Sequence, residues 1–258
     1  MSDADGANSC LPALRVDAES SDGLLTTVCS GLHPDAVDWI QSEVSALRAA
    51  PDTRRLTRSF AAIARRLPRE QSTVGADSAA IHLNTLDMAR YVLLRAALDP
   101  LDTASRCQTV AALYKTGSTG ERCSIARILP CFPSAGSYLT VAVEACRTHV
   151  EPVFAAIACE NPYPAEHFPE LNFNQMVLKA VFVGLQLSRV VGLRSRRGSE
   201  LQRMARALTS ERQAAGRPIP ADLSFLSDES MRADRDERWL SLSDSSGPPP
   251  RSAAHENG

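Results

Sequence analysis

Apolar residues through the middle of this chain return every three or four positions, the spacing that lines them along one side of an α-helix. His33-Pro34-Asp35 opens the first such run by setting a proline at a first helical position; Val37, Ile40, Val44 and Leu47 follow, and Pro51 closes it. Arg55 to Leu67 reads as a second helix, with Phe60, Ile63 and Leu67 on one face and Pro68 as its stop. Thr85 is placed to cap a third, in which Leu86, Ala89, Leu93 and Ala97 align before Asp99-Pro100. A fourth runs from about Asp102 to Tyr114, and Ser118-x-x-Glu121 has the form of a capping box opening a fifth that ends near Leu129-Pro130. Ser137 to Thr148, Glu151 to Glu160 and Asn172 to Val191 continue the series, the last being the longest and most apolar. Ser199-x-x-Gln202 reads as another capping box, starting a final helix that Gly216 and Pro218 terminate.

About nine short antiparallel helices joined by short loops predict a single all-α domain over residues 33–225, with an irregular HEAT-like array as one arrangement that suits them. Residues 1–32 and 226–258 are rich in Ser, Asp, Gly and Pro, and are expected to be disordered tails because they offer too little apolar surface to offset the entropy of ordering. The C-terminal one carries a short apolar patch, Trp239-Leu240-Ser-Leu242.

Composition agrees with helices. The 258 residues include 37 Ala and 28 Leu but only 5% aromatic side chains, which disfavours a sandwich or barrel. A formal charge of -2 gives no general attraction to nucleic acid or to anionic lipid. The apolar stretch Met176 to Leu193 is interrupted by Lys179, Gln186, Ser188 and Arg189, so no integral membrane span is expected. Seven cysteines without a C-x-x-C pair, set in apolar runs such as Ala155 to Cys159, behave as small hydrophobes, and the acidic, polar start lacks the pattern of a secretory signal. A cytoplasmic protein is the expectation.

Most catalytic signatures have no counterpart here. Gly117-Ser-Thr-Gly120 resembles a phosphate loop in composition only, since no G-K-[ST] follows, and a capped helix start accounts for it better. Cys146-x-x-His149 could put two ligands on one helical face, but a structural zinc site needs about four. No metal and no cofactor are expected. Arg189, Arg194, Arg196, Arg197, Arg203 and Arg206 cluster around the start of the last helix, where a solvated face is the simpler reading than a phosphate-binding one.

The informative stretch is Glu160-Asn-Pro-Tyr-Pro-Ala-Glu-His-Phe-Pro169 and the helix after it, Asn172-Phe-Asn-Gln-Met-Val-Leu-Lys-Ala-Val-Phe-Val-Gly184. Its prolines predict a stiff, extended turn that presents Asn161, Tyr163, Glu166 and His167. Phe173, Met176, Val177, Ala180, Val181 and Gly184 then fall on one side of the helix, and Leu178, Phe182, Val183 and Leu185 extend the apolar surface most of the way round, as expected of a central, buried helix. Asn172, Gln175, Lys179 and Gln186 make a polar stripe within about 60° of arc, whereas Asn174 lies inside the apolar arc and calls for a hydrogen-bond partner. Two readings are open. Asn174 ties down the backbone of the Pro-rich loop while the stripe faces water; or Asn161, Tyr163, His167, Asn174, Gln175 and Lys179 line a ligand- or partner-binding site, with Lys179 facing an anionic or carbonyl group.

On these residues, and on Arg189-Val-Val-Gly-Leu193 and Glu211-Arg-Gln-Ala-Ala-Gly-Arg-Pro218, the chain resembles the EboA family, whose members are encoded in bacterial gene clusters connected with metabolite traffic. Phe173 stands where the family pattern often has Trp. The resemblance implies an uncharacterised cytoplasmic helical protein of secondary metabolism, working with cluster partners that look like a prenyltransferase, a sugar-phosphate cyclase, a sugar isomerase and hydrolases. It brings no catalytic residue with it. The leading expectation is therefore a non-catalytic accessory protein that binds a metabolite intermediate or a pathway enzyme. The alternatives are an enzyme of the same pathway, with His167 or Glu166 as acid-base and Lys179 as anion binder, or a purely structural scaffold.

Overall fold

Short-range signals decide where the helices begin and end. The computed structural model describes residues 21–30, 32–67 and 83–227, and every regular element among them is a helix. The expected tails at 1–20 and 228–258, with the Trp239-Leu240-Ser-Leu242 patch, lie outside the described residues. The described residues form two compact units, one reaching to Val177 and including Arg189–Arg196, the other comprising Leu178–Ser188 and the residues after Arg196.

In the first unit, α1 (Ser21–Cys29), α2 (Pro34–Ala49) and α3 (Thr53–Arg66) pack against α4 (Thr85–Leu98). Helix α1 falls within the stretch expected to be a tail. Its Leu24 and Val28 are a turn apart and both buried, so two apolar side chains supply the anchor that the surrounding Ser, Asp and Gly obscured. Helix α2 starts at Pro34, as its place in the first turn predicts, and the structure adds a cap: His33 Nδ1 accepts from the Asp35 N–H at 3.4 Å; Ala36, Ile40, Val44 and Leu47 are buried. Helix α4 is capped by Asn84, one residue before the expected Thr85: its Oδ1 accepts from the Asp87 N–H at 2.9 Å while Asp87 turns back to the Asn84 N–H.

Helix α4, rather than the apolar helix after residue 170, is the hub of this unit. All its residues from Asp87 to Leu98 except Arg95 are buried, and it contacts α1, α2, α3 and α6 (Thr119–Ile128). Helix α5 (Thr103–Thr116) starts at Asp102, which accepts from Ser105 N–H at 2.9 Å, and α6 at Ser118, whose N–H donates to Glu121 at 2.9 Å as the capping-box spacing predicts. Two 3₁₀ turns, Leu129–Cys131 and Ala135–Tyr138, lead into α7 (Leu139–Arg147), and α8 (Glu151–Ala158) packs on α6 and α7. Cys131 and Cys159 are buried free thiols; burial pushes them up to about 12 and about 11, which leaves them inert and apolar in character.

Helix α9 (Tyr163–His167) occupies the Pro-rich segment expected to be extended, and α10 (Glu170–Phe182) follows it. Pro164 sits in the first turn of α9, where a missing N–H costs nothing, so the prolines start a helix rather than prevent one. Helix α10 is shorter than the predicted span to Val191. Gly184 takes a left-handed φ of 75°, and the Leu185 and Gly184 N–H groups close back on the carbonyls of Ala180 and Val181 at 2.9 and 3.3 Å, a Schellman ending. Phe182 and Val183, expected on the apolar surface, are 51% and 39% exposed. Helix α11 (Leu193–Arg196) completes the first unit.

In the second unit, α12 (Ser199–Ala214) packs on α13 (Ala221–Ser227) through buried Leu201, Ala205, Leu223 and Leu226. Gly198 occupies the N-cap position, so Ser199 is already helical and does not cap as its spacing to Gln202 suggested. No described helix is long and apolar enough to cross a membrane.

Candidate functional site

Glu160 enters the motif in an unfavourable conformation: its φ of 48° lies in the left-handed region, which costs a side-chain-bearing residue about 1–2 kcal/mol. Arg189 holds it there. The Glu160 N–H donates to the Arg189 carbonyl at 2.8 Å, and the Arg189 guanidinium grips the Glu160 carboxylate through Nε at 2.5 Å and Nη2 at 2.9 Å. This fork raises the Arg189 pKa.

Asn161 is buried and its amide is fully occupied by main chain. Nδ2 donates to the carbonyls of Ala126 and Ala156 at 2.9 and 3.0 Å, and Oδ1 accepts from the Tyr163 N–H at 3.0 Å. One side chain thereby ties α6, α8 and the start of α9 together. Tyr163, equally buried, donates its hydroxyl to the Ala135 carbonyl at 2.8 Å; burial pushes its phenol well above the usual range, so it serves as a permanent donor. Its ring packs 4.7 Å from that of His167 and 6.1 Å from that of Phe168.

The segment Arg189–Arg196, whose first five residues share the resemblance, clamps α9 from its other end. Arg196 Nη1 donates to the carbonyls of Pro164 and Ala165 at 2.8 and 3.1 Å, and its guanidinium lies 4.5 Å from the Phe173 ring centroid. Gly192 has a φ of 73°, and a Cβ there would fall 2.4 Å from the Ala165 Cβ. Gly192→Ala is thus expected to cost about 2 kcal/mol, a fall in melting temperature of roughly 4–8 °C, measurable by thermal unfolding. An unchanged melting temperature would show that this close approach does not matter.

His167 stands at the rim, with its side chain 28% exposed and Nε2 3.7 Å from the Glu166 carboxylate. Gly136 lies beside it, and a Cβ there would meet His167 Nδ1 at 3.4 Å, an ordinary contact distance. On α10, Gln175 is exposed, whereas Asn174 is completely buried with neither its Nδ2 nor its Oδ1 hydrogen-bonded. It does not brace the Pro-rich loop, a task that falls to Asn161. Lys179 belongs to the second unit, is half-buried, and is not a free cation. The structure therefore brings Asn161, Tyr163 and His167 into one braced cluster, with Asn174 sealed and Gln175 open to solvent.

Glu160, Arg189, Gly192 and Arg196 are the positions that pattern reading did not assign to this site. Both arginines belong to the basic cluster of the sequence, and the structure disperses it: Arg189 and Arg196 serve the motif, Arg203 pairs with Glu200 at 2.7 Å, and Arg206 donates to the Ser227 carbonyl at 3.2 Å. Among the described residues no three His, Cys, Asp or Glu side chains gather as metal ligands; Cys146 is half-buried and His149 exposed.

No curated protein and no solved structure matches the chain. The family model described as metabolite traffic protein EboA matches residues 21–226, from the first residue of α1 to within α13. That span takes in Asn161, Tyr163 and the Arg189–Arg196 clamp together, and on it the chain belongs to the EboA family.

Proposed function

We propose that this chain is a non-catalytic accessory protein of a secondary-metabolite biosynthesis and traffic cluster, working in the cytoplasm and holding a metabolite intermediate or a pathway enzyme against the surface presented by α9 and the start of α10. The observation that supports this best is the way the motif uses its polar atoms. Asn161, Tyr163 and Arg196 direct their hydrogen bonds at main-chain groups and hold the segment rigid, while His167, Glu166 and Gln175 remain as side chains at the surface. A surface fixed in advance loses little entropy on binding, which suits capture more than a mobile acid-base pair.

The test is co-purification of the tagged full-length chain from its own host, with mass spectrometry of bound proteins and small molecules. A protein encoded in the same cluster, or a discrete metabolite, should accompany the wild type and fall about tenfold in the doubly substituted His167→Ala/Gln175→Ala chain, with its melting temperature unchanged. Asn174→Leu distinguishes the occupants: loss of a bound metabolite would mean that the buried amide is its partner, whereas an enzyme docked on the rim is retained. Recovery of nothing, or equal recovery with the doubly substituted chain, overturns the reading.

A further inference from the structure

Helices α2 and α3 enclose between them a depression of about 320 Å³, lined by Trp39 and Glu43 from α2 and by Arg55, Arg58, Ser59 and Ala62 from α3. The residues follow helical spacing, so each helix contributes one continuous edge. Ala62 contributes only a methyl group, which leaves the space open. The volume is at the small end of the range of ligand clefts, about 300–1,000 Å³.

Charge within the depression is unbalanced in a defined way. Glu43 is committed to Arg55, which donates from Nε at 2.9 Å and Nη2 at 3.0 Å, and to the Ser59 hydroxyl at 2.5 Å. The Arg55 fork, helped by Ser59 and by the nearby Arg58 charge, holds the Glu43 carboxyl below its ordinary range. The Glu43–Arg55 pair is neutral and rigid. Arg58, three residues beyond Arg55, is exposed and forms no hydrogen bond or ion pair among the described residues. Its neighbours on α3 add to the surplus, because Arg54, Arg65 and Arg66 share the helix and no acidic residue does. Arg66 lies 5.7 Å from the Trp39 ring centroid, and Trp39 is half-buried, with part of its indole open to solvent.

We propose that this depression binds a small aryl anion, a flat unsaturated body carrying a phosphate or carboxylate head. The Arg58 guanidinium takes the head, since its planar fork matches an oxyanion and the Glu43 oxygens are already taken by Arg55 and Ser59. The body lies along Trp39 over Ala62, where a rigid indole supplies apolar contact at little entropic cost. The surplus of positive charge on α3 draws such a ligand in from solution. The site shares no residue with the α9–α10 motif and does not depend on the function proposed for it.

The test uses the full-length chain carrying Trp239→Phe, so that Trp39 is its sole tryptophan. Its emission is followed while phenyl phosphate or benzoate is added, with inorganic phosphate and phenol as the separated halves. At least one aryl anion should give a saturable change, with a half-saturation concentration about tenfold or more below that of either half. Arg58→Ala should raise that concentration about tenfold. Ala62→Leu, which keeps every charge, should abolish the response, with circular dichroism confirming that both substituted chains are folded. No saturable response to either aryl anion, a response matched by a half alone, or one that survives either substitution overturns the proposal.

Discussion

Asp87→Ala is expected to destabilise the first unit by about 3–5 kcal/mol, because it strands a buried arginine. Asp87 is 1% exposed and Arg90 3%, and they meet through Ser124: Arg90 Nη1 donates to the Ser124 hydroxyl at 2.7 Å, which in turn donates to Asp87 Oδ1. Arg127 reaches Asp87 Oδ2 at 3.3 Å, and the Arg90 guanidinium lies 5.3 Å from the Phe60 ring centroid. Asp87 also closes the cap of α4, so its removal unpins the hub helix at its start. Burial already pulls the Arg90 guanidinium below its ordinary pKa, which marks how poorly this setting tolerates a lone cation. Replacing both partners with apolar residues of similar volume, Asp87→Leu with Arg90→Met, should recover most of the loss in urea unfolding. If the single substitution were harmless, or the double one no better than it, the network would not be what holds α4 to α6.

Asn161→Ala is expected to cost about 3 kcal/mol or more, since it leaves three buried main-chain groups without partners, each worth roughly 1–3 kcal/mol. The groups are the Ala126 and Ala156 carbonyls and the Tyr163 N–H. Asn161→Asp adds a sign that can be checked. It keeps the shape and the acceptor for Tyr163 but sets a carboxylate against two carbonyl oxygens, so its folded-state pKa is raised above the unfolded value of about 4. A group raised in this way favours folding when protonated. Relative to the unsubstituted chain, Asn161→Asp should therefore cost least below about pH 4 and progressively more as pH rises through the folded-state value. Unfolding curves at pH 4 and 7 decide it, and equal losses at both would show that the amide donors are not engaged.

How much of this was legible in the sequence varies by residue. The start of α2 at Pro34, the start of α5 near Asp102 and the Ser118 capping box were readable because each signal acts within three residues of itself. Asn84 and Gly198 took caps assigned to their neighbours, a shift of one residue that spacing alone cannot resolve. The burial of Asn174 followed from its place on the helical wheel; its missing partner did not. The motif Asn161 to His167 stood out as a string of residues, yet the bracing by Arg189, Gly192 and Arg196 comes from about 30 positions downstream, where nothing local marks a guanidinium as a clamp.

The helical class, most helix boundaries and the family can be read along the chain, because periodicity, caps and a contiguous motif are properties of neighbouring residues. Long-range packing makes α4 the hub, joins Asp87, Arg90 and Ser124 in one buried network, and sets Glu43 against Arg55 while Arg58 stays exposed. Those outcomes turn on partners 12 to 37 residues apart. The desolvation of a charge depends on what the folded chain brings over it, and periodicity along a single helix carries no information about that.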